Sequence, residues 1–262
     1  HTELDMADGG AASNDDTALV ITMGDMGTFG IYDAEGGLST ETGYGIGAVG
    51  VGQDYANTMT QIGIGKDVSA DPHVAYTTPA DLLPFGVSLS VGYAPNTADG
   101  QGNSFKQSGV VNASDADGQN ATQYKVTAAP IDGLKVGADL YTVGGDNITA
   151  GQSESSGTVY AQYAMGNFKI GFFDAYHENG VADKYASASA DTATAANGDR
   201  YNFSGIGIEF AVNDAMSVSY AQEKYERIDK TMSATASTHT DSSVEAEADY
   251  IQVSYNIGGA TL

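Results

Sequence analysis

The side chains able to do chemistry in this chain are mostly carboxylates. Its 262 residues carry 34 Asp and Glu against 10 Lys and Arg, a formal charge of −24 at pH 7. Such a surface repels phosphodiester backbones, so nucleic-acid partners are excluded as a class. Cysteine is absent, which removes thiol catalysis. His1, His73, His177 and His239 are scattered, with no metal-ligand spacing and no HExxH pair. Each therefore reads as structural or superficial. No phosphate-binding GxxxxGKS/T loop occurs. Asp115 and Asp117 lie in an Asp-Ala-Asp-Gly fragment that could take Ca2+ in an acidic loop. The distal Glu of an EF-hand is missing. No catalytic constellation emerges, so no enzyme activity and no required cofactor are expected.

The remaining candidates act through charge. Glu35, Glu41, Asp54, Asp67 and Asp71 lie in or beside a Gly-rich, acidic, weakly apolar stretch, residues 34–72. Gly43, Gly45, Gly47, Gly50 and Gly52 recur within it. A segment this long without an apolar pattern is uncommon and usually functional. Lys125, Lys135 and Lys169 alternate with apolar neighbours, and Asp139 and Glu209 share the phase of the polar side of their strands. These side chains matter only if the elements around them give them a common face.

Those elements are strands. Met216, Val218 and Tyr220 alternate with Ser217, Ser219 and Ala221. Ile251, Val253 and Tyr255 alternate with Gln252 and Ser254, and Val87, Leu89 and Val91 with Ser88 and Ser90. Eleven full strands are expected, starting near Thr17, Thr28, His73, Val87, Ala121, Leu134, Ser156, Phe168, Tyr201, Met216 and Glu247. Strand ends are expected at His1 to Leu4 and Ala260 to Leu262. Tight connections are expected at Gly24 to Gly27, Asp132-Gly133, Gly166-Asn167 and Asn213 to Ala215. Long polar loops are expected at Asn96 to Asn120, Asp146 to Ser155, Asn179 to Arg200 and Asp229 to Glu245. The polar phase is Ser, Gly, Thr, Gln and Ala with few charges, poorer in Lys and Glu than a soluble exterior. A wet interior and a lipid-facing apolar side fit that pattern. No run of ~18 apolar residues provides a membrane helix. Tyr32, Tyr76, Tyr93, Tyr176, Tyr220 and Tyr255 would form interfacial aromatic girdles or simply follow β-propensity. A halophilic soluble protein is the bland reading of the charge.

Thr17 to Gly37, TALVITMGDMGTFGIYDAEGG, resembles the hairpin before the constriction loop of alphaproteobacterial general outer-membrane porins. Asp71 to Pro95 resembles the re-entry strand and following hairpin of that family. The PIDGLKVGADLY and MGNFKIGFFDAY hairpins continue the likeness across the chain. The resemblance implies an all-β, antiparallel up-and-down transmembrane barrel, sixteen-stranded when complete, with an inward-folded third loop. Residues 1–262 would be one barrel domain truncated in mid-strand at both ends, and 34–72 the constriction loop. It further implies a homotrimer in the bacterial outer membrane, among lipid and lipopolysaccharide, passing small hydrophilic solutes. In that setting Glu35, Glu41, Asp54, Asp67 and Asp71 would face basic groups across the narrowest part and favour cations. Lys125, Lys135 and Lys169 would line the pore. The alternative is a non-channel β-rich surface protein of adhesin, surface-layer or autotransporter type.

Overall fold

A computed structural model describes residues 2–6, 12–33, 36–39, 67–79, 82–95, 120–144, 154–178, 200–232, 239–257 and 260–261. Thirteen strands occupy them: β1 (Thr2–Met6), β2 (Ala12–Thr22), β3 (Thr28–Asp33), β4 (His73–Thr77), β5 (Ser88–Ala94), β6 (Asn120–Ala128), β7 (Leu134–Gly144), β8 (Ser155–Met165), β9 (Phe168–Glu178), β10 (Arg200–Asn213), β11 (Met216–Met232), β12 (His239–Ile257) and β13 (Ala260–Thr261). Each pairs antiparallel with its neighbour in chain order, an up-and-down sheet from β1 to β13. At one end the strands turn tightly, through a 3-10 turn at Gly24–Met26 and two-residue turns at 166–167 and 214–215. Asn213 makes the last of these, its Oδ1 accepting from Ala215 N–H at 2.8 Å. Backbone bonds tie successive turns together: Ala164 N–H to Gly133 O, Ala211 N–H to Asn167 O and Asn256 N–H to Ala215 O. The strand ends that flank 34–72 and 179–199 are at the other end.

Residues 229–245 correct the sequence expectation. Instead of a long loop, β11 runs to Met232 and β12 starts at His239. A hairpin rising beyond the bilayer has water on both faces. It therefore needs no apolar phase, and the periodic signal disappears.

The sheet is inside-out relative to a soluble barrel. Its covered face carries Ser90, Gln123, Asp139, Ser156, Thr158, His177, Ser219 and Glu223, with a row of aromatic rings. Its exposed face carries Leu19, Ile21, Val91, Leu140, Val159, Ile170, Phe172, Ile208 and Ile251, the last 78% exposed. An apolar belt on the outside and polar groups within is the arrangement that lipid selects. Tyr93, Tyr220 and Tyr255 stand on the exposed face, whereas Tyr32 turns to the covered side and stacks on His73, centroids 4.8 Å apart.

The upper border of the belt slopes across the sheet. On β12 and β11 it lies at the paired residues Asp249 and Gln222. That pairing row continues through Ile206, Phe172, Ala161 and Val136 to Ala128 on β6. On β6 the outward residues stay apolar or aromatic past Val126 and Tyr124, and the border lies at Thr122. The border thus advances about one residue per strand. At ~3.3 Å per residue and ~4.8 Å per strand this is a slope of roughly 35°, matching the strand tilt of membrane barrels.

Candidate functional site

The site is built where segment 34–72 leaves β3 and enters β4, on the covered face of β3 to β7. Gly92 makes room for it. A Cβ at that position would come within 2.6 Å of Val68 Cγ2 and 3.1 Å of Leu38 Cδ2. Leu38 and Val68, 6% and 0% exposed, pack there with Ala75, Ala94, Ala121, Tyr141 and Val143, and Tyr32 lies against them. Both described ends of the segment are therefore seated on the inner wall.

Hydrogen bonds fasten each end. Gln123, fully buried, accepts from Val68 N–H at 3.1 Å and donates from Nε2 to Asp139 Oδ2 at 2.7 Å. Asp67 begins the 3-10 turn Val68–Ala70, its Oδ1 accepting from Ser69 N–H at 3.2 Å and Ser69 Oγ–H at 2.5 Å. At the same end His73 Nδ1 lies 2.8 Å from Asp71 O, and at the β3 end Leu38 N–H points to His73 Nε2 at 3.4 Å. A carbonyl only accepts, so the proton sits on Nδ1 and Nε2 is the acceptor. Lys125 Nζ donates to Ser39 O at 3.4 Å.

The candidate charges separate into two levels. Asp67, Asp71 and Lys125 gather at the seated segment, where Lys125 is cross-paired with Ser90 and Asp139. Lys135 and Lys169 lie near the tight-turn end, in the same inward phase. Lys135 is paired with Gln162, and Lys169 Nζ lies 3.7 Å from Glu209 Oε2. The three lysines thus form no single cluster. Glu35, Glu41, Asp54, Asp115 and Asp117 lie outside the described residues. Among the described residues no group of three or more His, Asp or Glu is placed to hold a metal ion.

Sequence reasoning missed Gln123 and the pairing of His73 with Leu38. The inward phase of Gln123 was legible from alternation, but its partner lies 55 residues away in an irregular segment. Farther round the wall, Phe173, Phe203 and Tyr225 form a ring row with centroids 4.4 Å apart. Beside it, fully buried Glu223 accepts from Tyr225 O–H at 2.8 Å.

No protein-family model and no curated protein matches the chain. Solved structures do. One is a loop L8 deletion mutant of OmpT, an outer membrane protein of Vibrio cholerae. It is 16% identical, with 98% of this chain and 74% of that one covered and a TM-score of 0.51. Another is a porin refined at 1.8 Å, 14% identical, with 98% and 81% covered and a TM-score of 0.50. At these identities the shared property is the fold: this chain has the architecture of outer-membrane β-barrel proteins.

Proposed function

We propose that this chain forms the wall of a passive diffusion channel in the bacterial outer membrane, admitting small hydrophilic solutes and favouring cations. The observation that carries the reading is the inverted sheet. Its apolar face is turned outward and its inner face holds lysines, carboxylates, amides and hydroxyls that need water or one another. Segment 34–72, seated on that inner face at both described ends, is the constriction. Selection there is by size and field, without bond chemistry. The excess of carboxylates, 34 against 10 basic residues, supports the cation preference. The working form on this reading is a homotrimer held in lipid and lipopolysaccharide.

Reconstitution in planar bilayers tests it. Stepwise conductance is expected, with a reversal potential in a salt gradient on the cation-selective side. A folded, membrane-inserted chain that passes no current would reject the channel and favour a non-channel surface protein. Steps with anion selectivity at low salt would reject the electrostatic half.

A further inference from the structure

We propose that Gln123 is the positioning residue that holds the β4-proximal end of segment 34–72 against the wall, and so sets the bore. The proposal rests on the channel reading and deepens it. Gln123 and Asp139 sit on neighbouring strands, two pairing rows apart on the same face, with Gly92 and Tyr141 directly beside Gln123. At Gly92 the missing side chain leaves room for the Val68 and Leu38 side chains against the wall, and Val68 N–H comes with them to Gln123. What meets there is a backbone N–H from the segment and a carboxylate from β7. A neutral side chain that can accept from the first and donate to the second must carry both functions, and a primary amide does. The contacts at 3.1 and 2.7 Å use both ends of that amide, in a place without solvent exposure. Tyr141, Ala121 and Val143 close the surroundings with apolar area, so a lost bond there is not readily replaced by water.

The bracket has a direction, and that makes it testable. Gln123→Glu turns the donor into an acceptor and sets two carboxylates against each other. Adding Asp139→Asn reverses the pair: the amide at 139 donates to the carboxylate at 123, which still accepts from Val68 N–H. A residue that only filled space would not respond to this exchange.

The chain has no cysteine, so Ser69→Cys, one residue beyond Val68, reports the segment's attachment; it gives up the Oγ–H bond to Asp67 but keeps the backbone N–H bond, and every variant is compared within that background. Maleimide labelling is followed in detergent, and single-channel conductance in bilayers, with heat-modifiable gel migration verifying folding. Gln123→Glu is expected to speed labelling by about fivefold or more, as expected for losing one buried hydrogen bond. It is also expected to split the conductance into several levels. Gln123→Glu with Asp139→Asn should restore both. If Gln123→Glu does not fold, the near-isosteric Gln123→Met carries the same expectation. Wild-type labelling and a single conductance level in a folded Gln123 variant would overturn the proposal, as would failure of the double exchange to restore either. Faster, rescuable labelling in a chain that passes no current would leave the bracket standing and reject the channel reading instead.

Discussion

Replacing Ile208 by lysine tests which solvent the outer face meets. Ile208 is 43% exposed and is cross-paired with Ile170 and Tyr220, 47% and 43% exposed. On the same strand the outward series is Phe210, Ile208, Ile206 and then Ser204, where the polar border begins. Four residues at ~3.3 Å, tilted by about 35°, put Ile208 ~11 Å below that border, near the middle of a ~25 Å apolar band. In water, Ile208→Lys at so exposed a site would change stability by less than about 0.5 kcal/mol. In lipid at mid-depth it costs about 2–4 kcal/mol, a roughly 30- to 1000-fold loss in the folded-to-unfolded ratio. Ser204→Lys, at the border, should cost about 0–1 kcal/mol. The assay is a urea titration of folding into phospholipid vesicles, scored by gel migration of unheated samples. Equal midpoints for Ile208→Lys and wild type would refute the lipid-facing assignment, and equal losses at 204 and 208 would refute the placement of the border.

Three further perturbations follow from the same structure. Gly205→Ala would drive a methyl into the ring of fully buried Phe173 and to 3.3 Å from Glu223 Cγ, costing about 1–3 kcal/mol. Phe173→Leu should recover part of that loss, and strictly additive penalties in the same titration would argue against the contact. Glu209→Gln removes a charged partner of Lys169, itself about a third exposed, so stability should change by less than about 1 kcal/mol. The reversal potential should move toward anions; no movement would place this pair away from the ion path. Arg200→Ala gives up Glu178 Oε1 at 2.9 Å, Asn202 Oδ1 at 2.8 Å and the Tyr176 ring at 5.1 Å. Its cost should be about 1 kcal/mol or less and shrink in high salt, whereas a salt-independent loss would mean packing rather than charge.

The strands were legible wherever one face met lipid. Phe168, Met216 and His73 open β9, β11 and β4 where the alternation begins. β2 and β12 instead start at Ala12 and His239, ahead of the expected Thr17 and Glu247. Asn14, Asp15 and Asp16 in one, and Asp241 to Glu245 in the other, give no period because neither face there needs to be apolar. The same physics limited the site. Alternation alone gives the inward phase of Lys169 and Glu209. It cannot tell Gln123 from the other polar residues of that phase, because what distinguishes Gln123 is a backbone N–H far away in the sequence. His73 was equally opaque: its stack on Tyr32 follows from the β3–β4 pairing, but the two hydrogen bonds that decide its role depend on how 34–72 is seated.

A charge of −24 and a sheet that crosses lipid are compatible only if the carboxylates avoid the outer belt. The described ones do. Asp174, Glu178, Glu226, Glu245, Glu247 and Asp249 share the outward phase, at or above the sloping border. There Glu178 meets Arg200, Glu245 meets Lys224 at 3.1 Å, and Glu226 accepts from Asn202 Nδ2 at 2.8 Å. Glu209 lies at the height of the belt, but its neighbours Ile208 and Phe210 point outward and its own side chain points in toward Lys169. Ions in lipid are heavily penalised, so on the channel reading a pair at that height that remains about a quarter to a third exposed draws its water from the inner side. Lys169 and Glu209 are therefore probes of the interior. If altering one of them changes ion selectivity while folding is intact, there is water inside the sheet, and ions pass through it.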